Sequence, residues 1–175
     1  QTGVISDGTG GGKLALSSGI SGATVTLSGA NTYSGGTTIS AGTLRNGASG
    51  VISDSSAVQI ANSATWDLNG YTETVYSIAD VTSNTTGAIG LGSGTLTINN
   101  TGGTSTTFSG VISGTGNVKQ EGAGTLTLSA ANTYTGKTYV KAGTLAISQD
   151  SNLGAAPTSV QADQLVVNNA SVYFY

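Results

Sequence analysis

The residues best able to do chemistry in this sequence are its carboxylic acids. Asp67 and Glu73 flank a predicted turn at Asn69–Gly70 and stand beside Trp66. Two carboxylates near an aromatic side chain are an arrangement that glycoside hydrolysis can use. We prefer the simpler interpretation of two solvated acids near a half-buried tryptophan, because the clustered acids and bases of such active sites are absent from the sequence. We therefore predict that the chain is not an enzyme and has no catalytic residues.

The other common reactive and metal-binding groups are missing. The sequence contains no Cys and no His, which removes cysteine nucleophiles, thiolate zinc sites and the commonest metal ligand. The glycine run Gly10–Gly12 lacks the aspartate of the calcium-binding nonapeptide repeat. A net charge of −3 with five scattered basic residues argues against nucleic acid as a partner. We predict no cofactor and no metal.

No segment for targeting or membrane insertion stands out. No apolar run approaches the roughly 20 residues that span a bilayer, so we predict no membrane insertion by this chain. No signal peptide is visible, and we interpret the chain as a mature form or an excised piece.

Repeated phrases organise the chain. Gly-Thr-Leu at Gly124–Leu126 returns 19 residues later at Gly143–Leu145. The stretch Thr26–Leu44 returns near the C-terminus at an offset of 101 residues. The phrase Gly-Val-Ile-Ser begins at residues 3, 50 and 110. Whole phrases that recur at about this period indicate stacked structural repeats.

The repeats predict an all-β parallel β-helix, or β-solenoid, of eight or nine coils. Short runs alternate threonine with aliphatic residues, as strands with one buried side do. We expect a single domain over residues 1–175, with repeats at about 3–47 and 110–148 and a divergent middle at 54–90. An antiparallel β-sandwich is the competing architecture. The predicted core includes Leu27, Ile39, Leu44, Leu126, Leu128, Leu145 and Ile147.

Two local predictions concern the divergent middle. Thr72–Ile78 alternates throughout, which predicts one continuous strand. Residues 82–90 are small and polar, which predicts a loop.

The segment 122–147 resembles a known family, the autotransporter-associated β-strand repeat, also called the passenger-associated transport repeat. The match runs through Gly-Ala-Gly-Thr-Leu-Thr-Leu, Ala-Asn-Thr-Tyr-Thr-Gly and Ala-Gly-Thr-Leu. Residues 26–44 also match well, although residues 17–23 depart from the usual lead. The resemblance implies a right-handed parallel β-helix in a bacterial secreted or cell-surface protein. It also implies a role in the stalk and in secretion rather than in catalysis.

Two sets of residues are candidates for a structural or assembly role. Asn31 and Asn132 occupy equivalent loops, where asparagine can adopt a positive φ and bond the backbone. Tyr33 and Tyr134 follow them, and we expect all four to be structural corner residues. The residues expected to take part in end-to-end stacking of β-helices are Val4, Ile5, Val172, Tyr173, Phe174 and Tyr175.

These observations favour a structural segment, either an autotransporter-passenger-like stalk or an extracellular fibre that stacks head to tail. The alternative is an adhesin-type module that binds a host surface or glycan through an exposed face around Trp66–Tyr76. The partners expected are a second copy of the chain, or that host surface or glycan. The predicted location is extracellular or on the bacterial cell surface.

Overall fold

A computed structural model describes residues 3–7, 11–17, 22–82, 87–157 and 163–175. Within these ranges the chain forms short β-strands and a 3-10 helix at Asp150–Leu153. In chain order the strands are β1 Leu14–Leu16, β2 Thr24–Leu27, β3 Thr37–Ile39, β4 Thr43–Asn46, β5 Ala57–Ile60, β6 Thr65–Asp67, β7 Glu73–Val75, β8 Ser77–Asp80, β9 Ala88–Gly90, β10 Thr95–Ile98, β11 Thr106–Phe108, β12 Val111–Ser113, β13 Asn117–Gln120, β14 Thr125–Leu128, β15 Thr138–Val140, β16 Thr144–Ile147, β17 Leu165–Val167 and β18 Ser171–Phe174. No helix in the described ranges is both long and apolar enough to cross a membrane.

The strands stack in three faces, and every strand pair is parallel. The first face is formed by β1, β3, β5 and β8, followed by β11, β14, β16 and β18. The second face is formed by β2, β4, β6, β9 and β12, and the third by β7, β10, β13, β15 and β17. The described strands follow one order around the axis, although β1 to β6 omit the third face and β14 to β18 omit the second. The predicted parallel β-solenoid is confirmed and the antiparallel sandwich is wrong.

The first face has a break between β8 and β11. These two strands are neighbours in space but belong to separate hydrogen-bonded sheets. The Asp80 carboxylate spans the break and accepts the Ser109 N–H at 3.0 and 3.1 Å. A side chain therefore supplies a connection that the backbone does not make here.

The predicted number of coils was too high. The chain makes about six turns rather than eight or nine. The prediction took the shortest turn as typical, namely the 19 residues from Thr125 to its partner Thr144. The next turn takes 27 residues, from Thr144 to its partner Ser171. Corner segments absorb the difference, because loops tolerate insertions that the stacked strands do not.

The core lies inside the stacked turns and is built by alternation along each strand. All seven residues predicted for the core are buried. Inward positions form columns along the axis, such as Val25, Leu44, Trp66, Ile89 and Ile112 on the second face. Each column continues the apolar contact from one turn to the next, since neighbouring parallel strands lie about 4.8 Å apart.

The two predictions for the divergent middle were wrong. The alternating run from Thr72 contains two strands, β7 and β8, with a corner at Tyr76 between them. The inward parity changes at this corner, from Glu73 and Val75 on β7 to Ile78 on β8. One continuous strand could not bury both Val75 and Ile78, because residues three apart point to opposite sides. In the segment predicted as a loop, residues 88–90 form β9 and 83–86 lie outside the described residues. Ile89 supplies the inward side chain of β9 and is fully buried.

The two copies of the long repeat lie on different faces. In the first copy β2 and β4 lie on the second face and β3 on the first. In the second copy the equivalent strands β14 and β16 lie on the first face and β15 on the third. The copies are therefore related by a rotation of one face as well as a translation along the axis.

Glycine at Gly116 allows two turns to approach closely at a corner. An added Cβ at Gly116 would overlap the backbone carbonyl of Gly94 in the previous turn. An added Cβ at Gly90, in contrast, would meet only the Asp67 Oδ1 atom at 3.6 Å, an ordinary contact distance.

We predict that Gly116→Ala lowers the free energy of unfolding by at least about 2 kcal/mol, because the backbone of Gly94 has to move. Gly90→Ala is the control and should change it by less than about 1 kcal/mol. Urea unfolding followed by circular dichroism measures both variants. Equal stability of the two variants would contradict the close approach described here.

Candidate functional site: the asparagine corners

The side-chain amides of Asn31 and Asn132 take the place of a backbone peptide in the ladder between turns. Asn31 Oδ1 accepts the N–H of Ile5 at 2.7 Å, and Asn31 Nδ2 donates to the carbonyl of Val51 at 2.6 Å. Asn132 repeats this geometry: its Oδ1 accepts the N–H of Ile112 at 2.8 Å, and its Nδ2 donates to the carbonyl of Asn152 at 2.6 Å. Each amide joins the turn before it to the turn after it.

Amide side chains suit this position because an amide offers the same donor and acceptor as a peptide group. Both asparagines are almost fully buried, where an unpaired backbone group would cost about 1–3 kcal/mol. The corner can therefore leave the strand conformation while the neighbouring turns keep their hydrogen bonds. The expected positive φ is wrong: neither Asn31 nor Asn132 is among the described residues with positive φ. The side chain, rather than an unusual backbone conformation, does the bonding.

Asn152 extends the column by one more turn. Its Nδ2 donates to the carbonyl of Ala130 at 2.7 Å, and its Oδ1 accepts the N–H of Ser148 at 2.9 Å. It lies within the 3-10 helix at Asp150–Leu153. The sequence analysis did not identify this residue, because its surroundings lack the Asn-Thr-Tyr phrase.

Tyr33 and Tyr134 fill the corners beneath the asparagines. Each tyrosine hydroxyl forms a 2.6 Å hydrogen bond with the threonine four residues later, Tyr33 with Thr37 and Tyr134 with Thr138. Burial raises the pKa of Tyr33, and it raises the pKa of Tyr134 to about 12. The Asn-x-Tyr-x-x-x-Thr spacing thus places one amide, one ring and one hydroxyl in a buried corner.

Glu73 occupies the same kind of position with a carboxylate instead of an amide. It is fully buried and accepts hydrogen bonds from Asn46 Nδ2 at 2.5 Å, from the Val51 N–H at 3.0 Å and from the Ile52 N–H at 3.3 Å. Burial raises the pKa of Glu73 to about 7, with the three hydrogen bonds opposing the shift and the negative charge of Asp54 adding to it. Asn46 in turn accepts the indole N–H of Trp66 at 3.0 Å.

The structure does not bring Asp67 and Glu73 together as a carboxylate pair. Asp67 points outward and forms a 2.8 Å ion pair with Arg45, whereas Glu73 points into the core. The interpretation of Glu73 as solvated and Trp66 as half-buried was wrong, because both side chains are fully buried. Trp66 therefore cannot contribute to an exposed binding face around Trp66–Tyr76. Across the described ranges, no three acidic side chains gather where they could hold a metal ion.

Two segments of the chain match a known family of repeats. The family model described as Passenger-associated-transport-repeat matches residues 21–45 and 119–147. The two matched segments contain both Asn-Thr-Tyr corners. These two segments are therefore similar to the passenger-associated transport repeat, and we refer to them as the two passenger repeats. The two passenger repeats have the same corner structure, although they lie on different faces of the solenoid.

The comparison with curated proteins gives one relative of interest. The adhesin BmaC autotransporter of Brucella suis biovar 1 (strain 1330) is 35% identical over 156 residues, which cover 83% of this chain. The chain spans only 4% of the length of that adhesin. No solved structure gave a significant match. The similarity therefore extends well beyond the two passenger repeats into the middle of the chain.

Sequence reasoning missed the polar side chains that point inward at strand ends. Asn46 follows Leu44, Asn100 follows Ile98 and Gln120 follows Val118, in each case two residues after a buried aliphatic side chain. Gln120 Nε2 donates to Asn100 Oδ1 at 3.1 Å and to the Gly122 carbonyl at 2.9 Å. The sequence signal that could have found them is their position in the alternation. An amide residue two positions after the last buried aliphatic residue also points inward, where it can form hydrogen bonds with the backbone of the corner that follows the strand.

The residues predicted for end-to-end stacking lie at the two ends of the described solenoid. Ile5 packs partly against the core, and Val4 is exposed. Val172 and Phe174 continue the inward columns of Leu145 and Ile147, yet 58% of Phe174 is exposed. Tyr173 and Tyr175 are exposed as well. Stacking through these residues stays a prediction.

We predict that Asn132→Ala lowers the free energy of unfolding by about 2–4 kcal/mol, because the Ile112 N–H and the Asn152 carbonyl lose their buried partner. Asn132→Asp should also destabilise, since a carboxylate cannot donate to the Asn152 carbonyl. Thermal and urea unfolding measure both variants. Asn99→Ala is the control, since Asn99 is exposed and should change stability by less than about 0.5 kcal/mol. An Asn132→Ala variant as stable as the control would disprove the bridging role.

We predict that the Glu73 carboxyl makes stability decrease as pH rises. The folded pKa of about 7 lies above the ordinary pKa of 4.5 for a glutamate side chain, so the folded state holds the proton more tightly than the unfolded state. The stabilisation is complete below about pH 4.5 and is lost as pH rises to 7, with a total of about 3 kcal/mol. Unfolding free energies measured from pH 4 to 8 should show this slope in the wild type.

Glu73→Gln should remove the slope between pH 4.5 and 7, because glutamine does not titrate. The matched control is Glu121→Gln, on a partly exposed carboxylate that is paired with Lys141, and it should keep the slope. A slope that persists unchanged in Glu73→Gln would assign it to another group.

Proposed function

We propose that this chain is a stalk segment of a secreted or cell-surface bacterial protein, and that its role is mechanical rather than enzymatic. The observation that carries the proposal is the set of buried asparagine amides that keeps neighbouring turns bonded at two different corners of the solenoid. A rod with bonded turns can hold a distance between its ends. The passenger repeats and the autotransporter relative support the location and the structural role.

An adhesive role is the second candidate function. The relative's name describes it as an adhesin. Because Trp66 lies in the core, it cannot contact a ligand. An adhesive surface has to consist of outward side chains on the three faces. The separation of Asp67 from Glu73 supports a binding role over glycoside hydrolysis, since a two-carboxylate mechanism needs both acids at one bond.

We also propose that a further β-solenoid turn packs on the edge formed by β17 and β18. The inward residues Leu165, Val167 and Phe174 are exposed there, although their column neighbours Thr138, Val140 and Ile147 are buried. An exposed strand edge with apolar inward residues is a template for another strand. A second copy stacked head to tail would supply such a turn, as would more of the same polypeptide.

The location is tested by immunofluorescence with antibodies raised against the 175-residue chain. Labelling of intact cells of the source bacterium, at a level close to that of permeabilised cells, is the expected result. A cytoplasmic protein that labels only after permeabilisation is the control. Labelling that requires permeabilisation would rule out the surface stalk and leave the β-solenoid itself unaffected.

Stacking is tested by sedimentation and negative-stain microscopy of the purified chain. Filaments or concentration-dependent oligomers are expected, and Phe174→Asp should abolish them because it places a charge on the proposed contact. The control is Tyr71→Asp, at an exposed aromatic residue away from this edge. Monodisperse short rods at all concentrations would contradict stacking between copies.

A further inference from the structure

The outer surface of the third face differs from the other outer surfaces in its chemistry. Along β13 and the residue after it the outward residues are Asn117, Lys119 and Glu121. Along β15 and the residues on either side of it they are Lys137, Tyr139 and Lys141. The register places Lys119 beside Tyr139. Two side-chain contacts extend the match along both strands: the Lys137 N–H donates to Asn117 Oδ1 at 2.8 Å, and Lys141 pairs with Glu121 at 2.8 Å.

Three of the five basic residues of the chain therefore lie on, or directly beside, the adjacent strands β13 and β15. The protein as a whole carries a net charge of −3, so this surface, which we call the lysine patch (Lys119, Lys137, Tyr139 and Lys141), has the opposite sign. Only Lys141 is neutralised by a carboxylate. Among the described residues the ion pairs are Arg45–Asp67 and Lys141–Glu121, and neither includes Lys119 or Lys137.

Lys119 is held in place by the aromatic ring next to it. Its ammonium lies 5.5 Å from the centroid of Tyr139, a distance at which the ring face attracts a cation. The contact fixes the charge close to a flat sheet instead of leaving it on a mobile side chain. Lys137 and Lys141 flank β15 on the same side of the sheet, and the rise of a strand places their Cα atoms about 13 Å apart.

Uncharged side chains flank the lysine patch. Thr97 on β10 lies on the other side of Lys119, and Val166 on β17 lies beside Tyr139. Thr74 on β7 continues the row beyond Thr97. The patch is therefore part of a sheet surface that carries spaced cations and a phenol hydroxyl.

We propose that the lysine patch binds an acidic polysaccharide, a chain of sugars that bear sulfate or carboxylate groups. The spaced ammonium groups match repeated anions on an extended chain, and the Tyr139 hydroxyl can bond a sugar hydroxyl. Because charge complementarity carries the recognition, the binding should weaken as salt screens it. The inference rests on the adhesive role proposed above and names its surface and its ligand class.

The test measures binding of the full 175-residue chain to immobilised polysaccharides at several salt concentrations. Heparin is the sulfated probe, hyaluronate the carboxylated probe and dextran the neutral probe, with double-stranded DNA as a polyanion that is not a glycan. Heparin or hyaluronate should bind and dextran should not. Binding to dextran as strong as binding to heparin would overturn the proposal, and so would equal binding to DNA.

Two double variants locate the surface. Lys119→Gln with Lys137→Gln removes two charges from the lysine patch, and Lys13→Gln with Arg45→Gln removes the same two charges from elsewhere. The first should weaken binding at least about tenfold, and the second should change it less than about twofold. Equal losses of affinity in both double variants would show that binding depends on net charge alone, and would overturn the assignment of binding to the lysine patch. Melting temperatures of the variants confirm that each is folded.

The phenol is tested separately. Tyr139→Leu keeps an apolar side chain on the sheet but removes the ring that holds Lys119, and a loss of about threefold or more is expected. A wild-type chain that binds none of the charged probes would overturn the inference. The surface-stalk proposal is tested separately by the labelling of intact cells. A failure to bind the charged probes would therefore leave that proposal unaffected.

Discussion

The structure depends on the requirement that buried backbone groups stay hydrogen-bonded along the axis of the solenoid. Within a face the parallel strands meet this requirement themselves. At a corner the chain turns away from its neighbours, and a buried N–H or carbonyl would lose its partner. Asn31 and Asn132 solve the problem with one side chain each, because the amide reproduces both halves of a peptide group. The rest of the repeat supports this placement. The tyrosine ring fills the corner, and its hydroxyl forms a hydrogen bond with the threonine hydroxyl four residues later.

Glu73 shows what happens when the divergent middle of the chain meets the same requirement differently. Its carboxylate satisfies two backbone N–H groups and the Asn46 amide, but a carboxylate can donate nothing unless it is protonated. Desolvation favours the protonated form and the three donors favour the charged form. The amides of Asn31 and Asn132 do not titrate, so they impose no such conflict, whereas Glu73 links stability to proton binding.

Much of the fold could be predicted from sequence, because its signals are local and repeated. Alternation in segments such as Thr125–Leu128 identified buried residues, and the repeated phrases identified stacking. The number of turns could not be obtained in the same way, since corner insertions carry no periodic signal. Glu73 and Trp66 were misplaced for a related reason. Their neighbours in space, Asn46, Val51 and Ile52, come from the turn before, and only the register of the turns shows that these groups meet.

The placement of the two passenger repeats on different faces affects how a longer rod would meet its surroundings. The 101 residues between the copies shift the repeat by one face of the solenoid. If further copies followed with the same shift, equivalent outward residues would trace a spiral with threefold screw symmetry. Such a rod would present the same outward side chains on each of its three faces within three copies. A partner could therefore contact them from any direction around the axis. Multivalent contact could then form without the rod first having to rotate about its own axis.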